Sequence, residues 1–230
     1  MKIDTDAYTL EKIINTNKHK LYIKGRYKNH IYESLKNIIP DFFYEDCDEN
    51  LIFLATTVVN LALFKEQQKD KKDEKDENVI HVINWLTIQI ERLRINSNLI
   101  FYGLDLNDIL VINNNIFIIV NSNNLIEMNE NRNSNSKITF FSPFELPYFS
   151  SPELLNITSL PAEIDYRVSY YSLGALIIYY LTNKYLFLGN EVMREKDIEI
   201  CLQPFLNTKV YWFLKRCIKS DCEKRILLFI

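Results

Sequence analysis

Cysteine and histidine are the side chains that most often hold zinc, and their spacing here does not suit it. The four cysteines, Cys47, Cys201, Cys217 and Cys222, form no C-x-x-C pair, and there are only three histidines. A zinc site is therefore not expected, and free thiols in a reducing compartment are the simpler reading. Basic residues form no stripe interleaved with aromatics, and the net charge is -3, so nucleic acid is not an expected partner. The remaining candidates are carboxylates and amides. Asp105 and Asp108 lie three positions apart ahead of an apolar run, and Asn121 follows Asp108 by thirteen. Taken alone, residues of this kind bond local backbone in turns.

The chain that must position them has 230 residues, of which 47% are hydrophobic and 25% charged. That is enough for one large domain or two small lobes. Residues 8–14 and 21–24 read as strands joined by the turn Asn15 to Lys20. Residues 30–39 place Ile31, Leu35 and Ile38 at helical spacing, and Pro40 should end that helix. A second strand pair is expected at 41–44 and 51–57. Residues 65–78 are nearly all charged with both signs mixed, which predicts a solvated loop or frayed helix end. A helix over 79–96 follows. The runs 109–112 and 116–120 flank Asn113-Asn114-Asn115, a tight-turn sequence. Residues 121–150 predict a long loop, 166–182 a buried helix, and 205–219 and 221–230 amphipathic helices. The longest uncharged apolar stretch, Leu51 to Phe64, is broken by Thr56, Thr57 and Asn60 and falls short of the ~20 residues a membrane span needs. The N-terminal Met-Lys-Ile-Asp-Thr-Asp has no apolar core for a signal peptide. A soluble, intracellular, cytoplasmic protein is expected.

Five fragments, in order, resemble the eukaryotic protein-kinase family. The family's catalytic loop, H-R-D-L-K-x-x-N-I-L-V, reads Phe-Tyr-Gly-Leu-Asp-Leu-Asn-Asp-Ile-Leu-Val at 101–111, matching at Leu104 and at Ile109-Leu110-Val111. Its D-F-G position falls on Asn121-Ser122-Asn123. Its A-P-E reads Ser151-Pro152-Glu153. Its D-x-W-S-L-G reads Ser169-Tyr170-Tyr171-Ser172-Leu173-Gly174. Its R-C-L-x-x-D-P-x-x-R reads Arg216 to Arg225. The resemblance implies an α+β, protein-kinase-like bilobal fold, with a reduced β-rich N-lobe at 1–60 and a mainly helical C-lobe at 61–230. The segment 121–153 would be its activation-segment-like loop.

The resemblance also implies roles, and the departures from it imply their loss. Gly103 stands where the family has its catalytic Asp, so no catalytic residue is expected in an ungapped register. A shifted register would give that role to Asp105. Asp108 and Asn121 stand at the two metal positions with their residue types exchanged, one carboxylate and one amide oxygen, a donor set magnesium accepts. Lys24 could pass for the phosphate lysine and Glu33 for its helix partner, though only nine positions separate them. Asn15-Thr16-Asn17 would lie where glycines cover the phosphates. Glu153 and Arg225 match the family's buried structural pair. Ser169 replaces an Asp that braces the catalytic loop. No cofactor is expected, with weak Mg-ATP binding through Lys24, Asp108 and Asn121 left open. The implied function is a pseudokinase that binds, scaffolds or regulates a protein partner. The alternatives are a weakly active kinase using Asp105 or Asp108, and a kinase-fold subunit of a larger assembly.

Overall fold

Alternating burial organises the N-terminal part of the chain. In β2 (Tyr8–Lys12) Tyr8 and Leu10 face inward, and in β3 (Lys18–Ile23) His19, Leu21 and Ile23 do, the period of two expected of a half-buried sheet. With β1 (Lys2–Asp4), β4 (Tyr44–Glu45) and β5 (Leu51–Leu54) they form an antiparallel sheet of order β1-β2-β3-β5-β4. Helix α1 (Lys28–Ile38) lies between β3 and β4 in sequence and buries Ile31, Tyr32 and Leu35. It stops before Pro40, as the bias of a pre-proline residue requires. The computed structural model describes residues 2–68, 72–129, 136–188 and 191–228.

A second sheet starts at β6 (Val58–Asn60), which pairs with β8 (Ile109–Ile112), and β8 in turn pairs with β9 (Ile116–Ile119). Every residue of β8 is buried, which is why its sequence is continuously apolar. Asn113 and Asn114 both take positive φ, 51° and 63°, the conformation that favours Asn in a hairpin turn. Two helices precede the hairpin. Helix α2 (Leu61–Gln67) is capped by the Asn60 side chain, which accepts from Leu63 N at 2.8 Å. Helix α3 (Lys72–Ser97) buries Val79, Val82, Ile83, Leu86, Ile90 and Leu93 along one stripe.

The charged run 65–78 is therefore largely helical, at the end of α2 and the start of α3, so of the solvated loop or frayed helix end expected there it is the helical alternative that applies. Residues 69–71 lie outside the described residues. Mixed charges are compatible with an exposed helical turn, and the apolar stripe from Val79 onward anchors the helix they extend. Likewise 121–150 is not one long loop. Strand β7 (Leu99–Phe101) pairs with β10 (Leu125–Glu127), and β11 (Lys137–Phe140) pairs with β12 (Ala162–Asp165); residues 130–135 lie outside the described residues.

Helix α4 (Pro152–Leu155) precedes β12, and helix α5 (Val168–Thr182) is buried on all sides, the reason for its uniform apolarity. A short hairpin, β13 (Phe187–Leu188) with β14 (Glu191–Val192), leads to α6 (Glu195–Leu202) and α7 (Lys209–Cys217). The tail departs from expectation. Among the described residues after 220 there is only a 3-10 turn, Cys222–Lys224, before the chain extends at Arg225. Among the described residues no helix is long and apolar enough to cross a membrane. The fold is mixed α+β, with a sheet-rich N-terminal region followed by several helices.

Candidate functional site

A cleft of about 400 Å³ opens where four stretches of chain meet: the turn Thr5–Ala7, residues 105–108, residues 121–124 and residues 145–148. Local hydrogen bonds explain each. The Asp105 carboxylate accepts from Asn107 N at 2.9 Å and caps the 3-10 turn Leu106–Asp108. Asp108 then enters β8, and the hairpin returns the chain so that Val120 N donates to Asp108 O at 2.8 Å. That register places Asn121 beside Asp108, and its Nδ2 donates to Asp108 Oδ2 at 2.9 Å. Asn124 Nδ2 reaches the same oxygen at 3.4 Å. Asn121 Oδ1 is used locally, accepting from Asn123 N at 2.9 Å.

Burial raises the Asp108 carboxyl to about 6; the Asn121 amide lowers it and the Asp105 charge raises it further. Tyr8 donates its hydroxyl to Asn107 O at 3.4 Å, and burial with the Asp108 charge pushes that phenol up to about 12. The cleft lining contains Asp6, Asp105, Asp108 and Glu145, and among the described residues it contains no Lys, Arg or His.

Gly103 is more than a missing carboxylate. A Cβ built there would lie 2.6 Å from Pro147 Cγ and 2.8 Å from Pro147 Cβ. Pro147 is held in place because Phe149 and Leu104 exchange backbone hydrogen bonds, at 3.0 and 3.4 Å. The room that any larger side chain at position 103 would need is already filled.

Of the cofactor candidates, the structure brings Asp108 and Asn121 together and leaves Lys24 out. Lys24 Nζ pairs with Asp4 at 2.8 Å and donates to Thr5 O, and Glu33 is exposed on α1. The turn Asn15–Asn17 is also elsewhere. It joins β2 to β3, with Asn17 O accepting from Ala55 N at 2.8 Å, and none of its residues lines the cleft. The cover over Asp108 is Thr5-Asp6-Ala7, between β1 and β2, which the sequence reading missed. Its signal was the Thr5 hydroxyl, which accepts from Ala7 N and Tyr8 N; strand β1, with one apolar residue in three, was too short to read.

No protein-family model matches the chain, and no curated protein matches it. The geometry itself must therefore carry the chemistry.

For Mg-ATP the cleft offers the Asp108 carboxylate and the Asn121 amide as oxygen donors, but no Lys or Arg among its described lining to meet the phosphates directly. Two unit charges of like sign about 6 Å apart repel by roughly 3 kcal/mol at an effective dielectric near 20, and a triphosphate in this cleft would meet carboxylates without a cation among its described lining. Asp108 Oδ2 accepts both amide donors; among the described residues no group of three His, Cys, Asp or Glu lies close enough together to hold an ion.

Away from the cleft, Glu153 and Arg225 meet in a bidentate pair, Nη1 to Oε2 at 3.0 Å and Nη2 to Oε1 at 2.6 Å. Arg225 is fully buried, donates Nε to Lys219 O at 2.8 Å, and lies over the Tyr171 ring at 4.8 Å. The pair fastens the first turn of α4 to the tail. Ser169 turns inward on its own helix, donating to Tyr166 O at 3.1 Å, while Ser172 one turn later donates to Tyr102 O at 3.4 Å. Between the two halves, Ser122 Oγ donates to Lys24 O. Gly25, at φ 97°, lets the chain pass close beneath, since a Cβ there would meet Asn123 Oδ1 at 2.6 Å.

Proposed function

We propose that this chain is a non-catalytic, protein-kinase-like binding module, a pseudokinase, that acts through a protein partner. Its support in the fold is the order of elements. A five-stranded antiparallel sheet carries a helix between its third and fourth strands; a hairpin bearing Asp108 and Asn121, a buried central helix and the Glu153–Arg225 pair follow. The observation that carries the loss of catalysis is the packing of Pro147 against Gly103, because a catalytic Asp at that position has nowhere to go. Phosphoryl transfer rests on positioning and electrostatic stabilisation of charge, and the described cleft lining supplies no lysine or arginine to steady the phosphates.

The test pairs a phosphotransfer assay, using γ-labelled ATP and a generic protein substrate, with a thermal melt in millimolar Mg-ATP. We expect no label transfer and no rise in melting temperature. A nucleotide present at 100 times its dissociation constant would add about 2.7 kcal/mol; such a shift without label transfer would show nucleotide binding and leave the non-catalytic reading standing, whereas label transfer would sink it. A second reading, a weakly active kinase, is favoured by one observation: Asp105 does line the cleft beside Asp108. Label transfer that disappears in Asp105→Asn would establish it.

A further inference from the structure

The segment 141–148 is unusually apolar for a surface. Phe141 is 80% exposed, Tyr148 70% and Leu146 48%, a concentration that marks contact surfaces more often than free ones. Behind it lies a second cavity, a groove of about 370 Å³ lined by Pro143, Phe144, Leu146, Leu155, Ile157 and Leu160 among others. Its floor is firm. The Phe144 ring stacks on Phe140 at 4.1 Å and meets Tyr102 edge-on at 5.5 Å.

Leu146 lines both this groove and the acidic cleft. The two cavities therefore lie on either side of one short segment and can be filled by one ligand. Their charge is one-sided: Asp6, Asp105, Asp108 and Glu145 on the cleft side, and no Lys, Arg or His among the described lining of either. Asp6 and Glu145 are exposed at the rim, where rim charges select the partner and speed its approach.

We infer that the groove and cleft together dock an extended segment of a partner protein, one that sets an apolar side chain in the groove and a Lys or Arg over the carboxylates. This rests on the non-catalytic reading, since it gives the cleft a cationic side chain in place of a nucleotide. Complementary charge is what commits the occupant: an acidic or purely apolar segment would leave four carboxylates unmatched.

The test is selection of eight-residue peptides from a randomised displayed library against the full chain, followed by titration of a labelled selected peptide. Selected sequences should place Lys or Arg within about four residues of an apolar anchor. Affinity should fall at least tenfold in Leu146→Asp and in Glu145→Lys, and the same peptide with Glu in place of its basic residues should not bind. Both side chains are exposed, and Glu145→Lys keeps the test decisive should Leu146→Asp misfold. Selection without basic residues, binding indifferent to both variants, or a dimer by mass photometry that dissociates in Leu146→Asp would overturn the inference, the last because a second copy would be the occupant. The two failures are separable. Phosphate transfer would overturn the non-catalytic reading itself; no transfer together with no basic–apolar consensus would overturn only the docking inference.

Discussion

Two half-buried carboxylates in this molecule have been treated in opposite ways. Glu153 meets a fully buried guanidinium in bidentate geometry, so its charge is matched where it stands. Asp108 meets amides and another carboxylate, and burial raises its pKa to about 6, making it a weaker acid. The first arrangement holds an architecture together. The second leaves an uncompensated charge facing a cleft, which an outside cation could relieve. A half-buried carboxylate thus gains its meaning from its neighbour: a matched one is a fastener, an unmatched one is a site.

The largest expected effect breaks the matched pair. Arg225→Ala strands Glu153 and opens a space beside Tyr171, and should cost about 3–5 kcal/mol in chemical denaturation. A loss under about 1 kcal/mol would mean the pair is ornamental.

Neutralising the unmatched carboxylate should do the reverse. Asp108→Asn keeps an oxygen to accept from Asn121 and removes the half-buried charge, so it should stabilise the fold by about 2–3 kcal/mol at pH 7. The sign follows from proton binding. The native carboxyl holds its proton up to about 6, against 3.8 in the unfolded chain, so the native state binds more protons between these values. Wild-type stability therefore falls as pH rises through about 4 to 6, while the variant's does not. Melts at pH 4 and pH 7 should show the two proteins converging at the lower value; an equal gap at both would contradict the cause assigned to the shift.

The smallest effect probes the cleft wall. Gly103→Asp must displace Pro147 and should cost about 1–3 kcal/mol, the usual range for overpacking. It should not create phosphotransfer. Unchanged stability would show that Pro147 yields freely and that the position is open after all.

These contrasts also show what was legible in advance. The hairpin at 109–119 could be read because buried strands are continuously apolar and because Asn tolerates positive φ in the turn between them. The juxtaposition of Asp108 with Asn121 follows from that hairpin. Glu153 with Arg225 was placed only through the resemblance, since 72 positions separate them. The wall formed by Pro147 against Gly103 could not be read, because nothing local marks a contact between residues 44 positions apart. Helix α6 was missed because its charged first turn hides Ile198, Cys201 and Leu202, which it buries. The tail 221–230 was read as a helix, yet Arg225 and Leu227 turn inward while Ile226 and Leu228 are exposed, the alternation of an extended chain and not the stripe of a helix.

The bond from Ser122 to Lys24, with Gly25 bent beneath it, has a consequence for motion. It fastens the first sheet to the chain that carries Asn121, on one flank of the cleft. Any widening of the cleft on that flank must first break this bond.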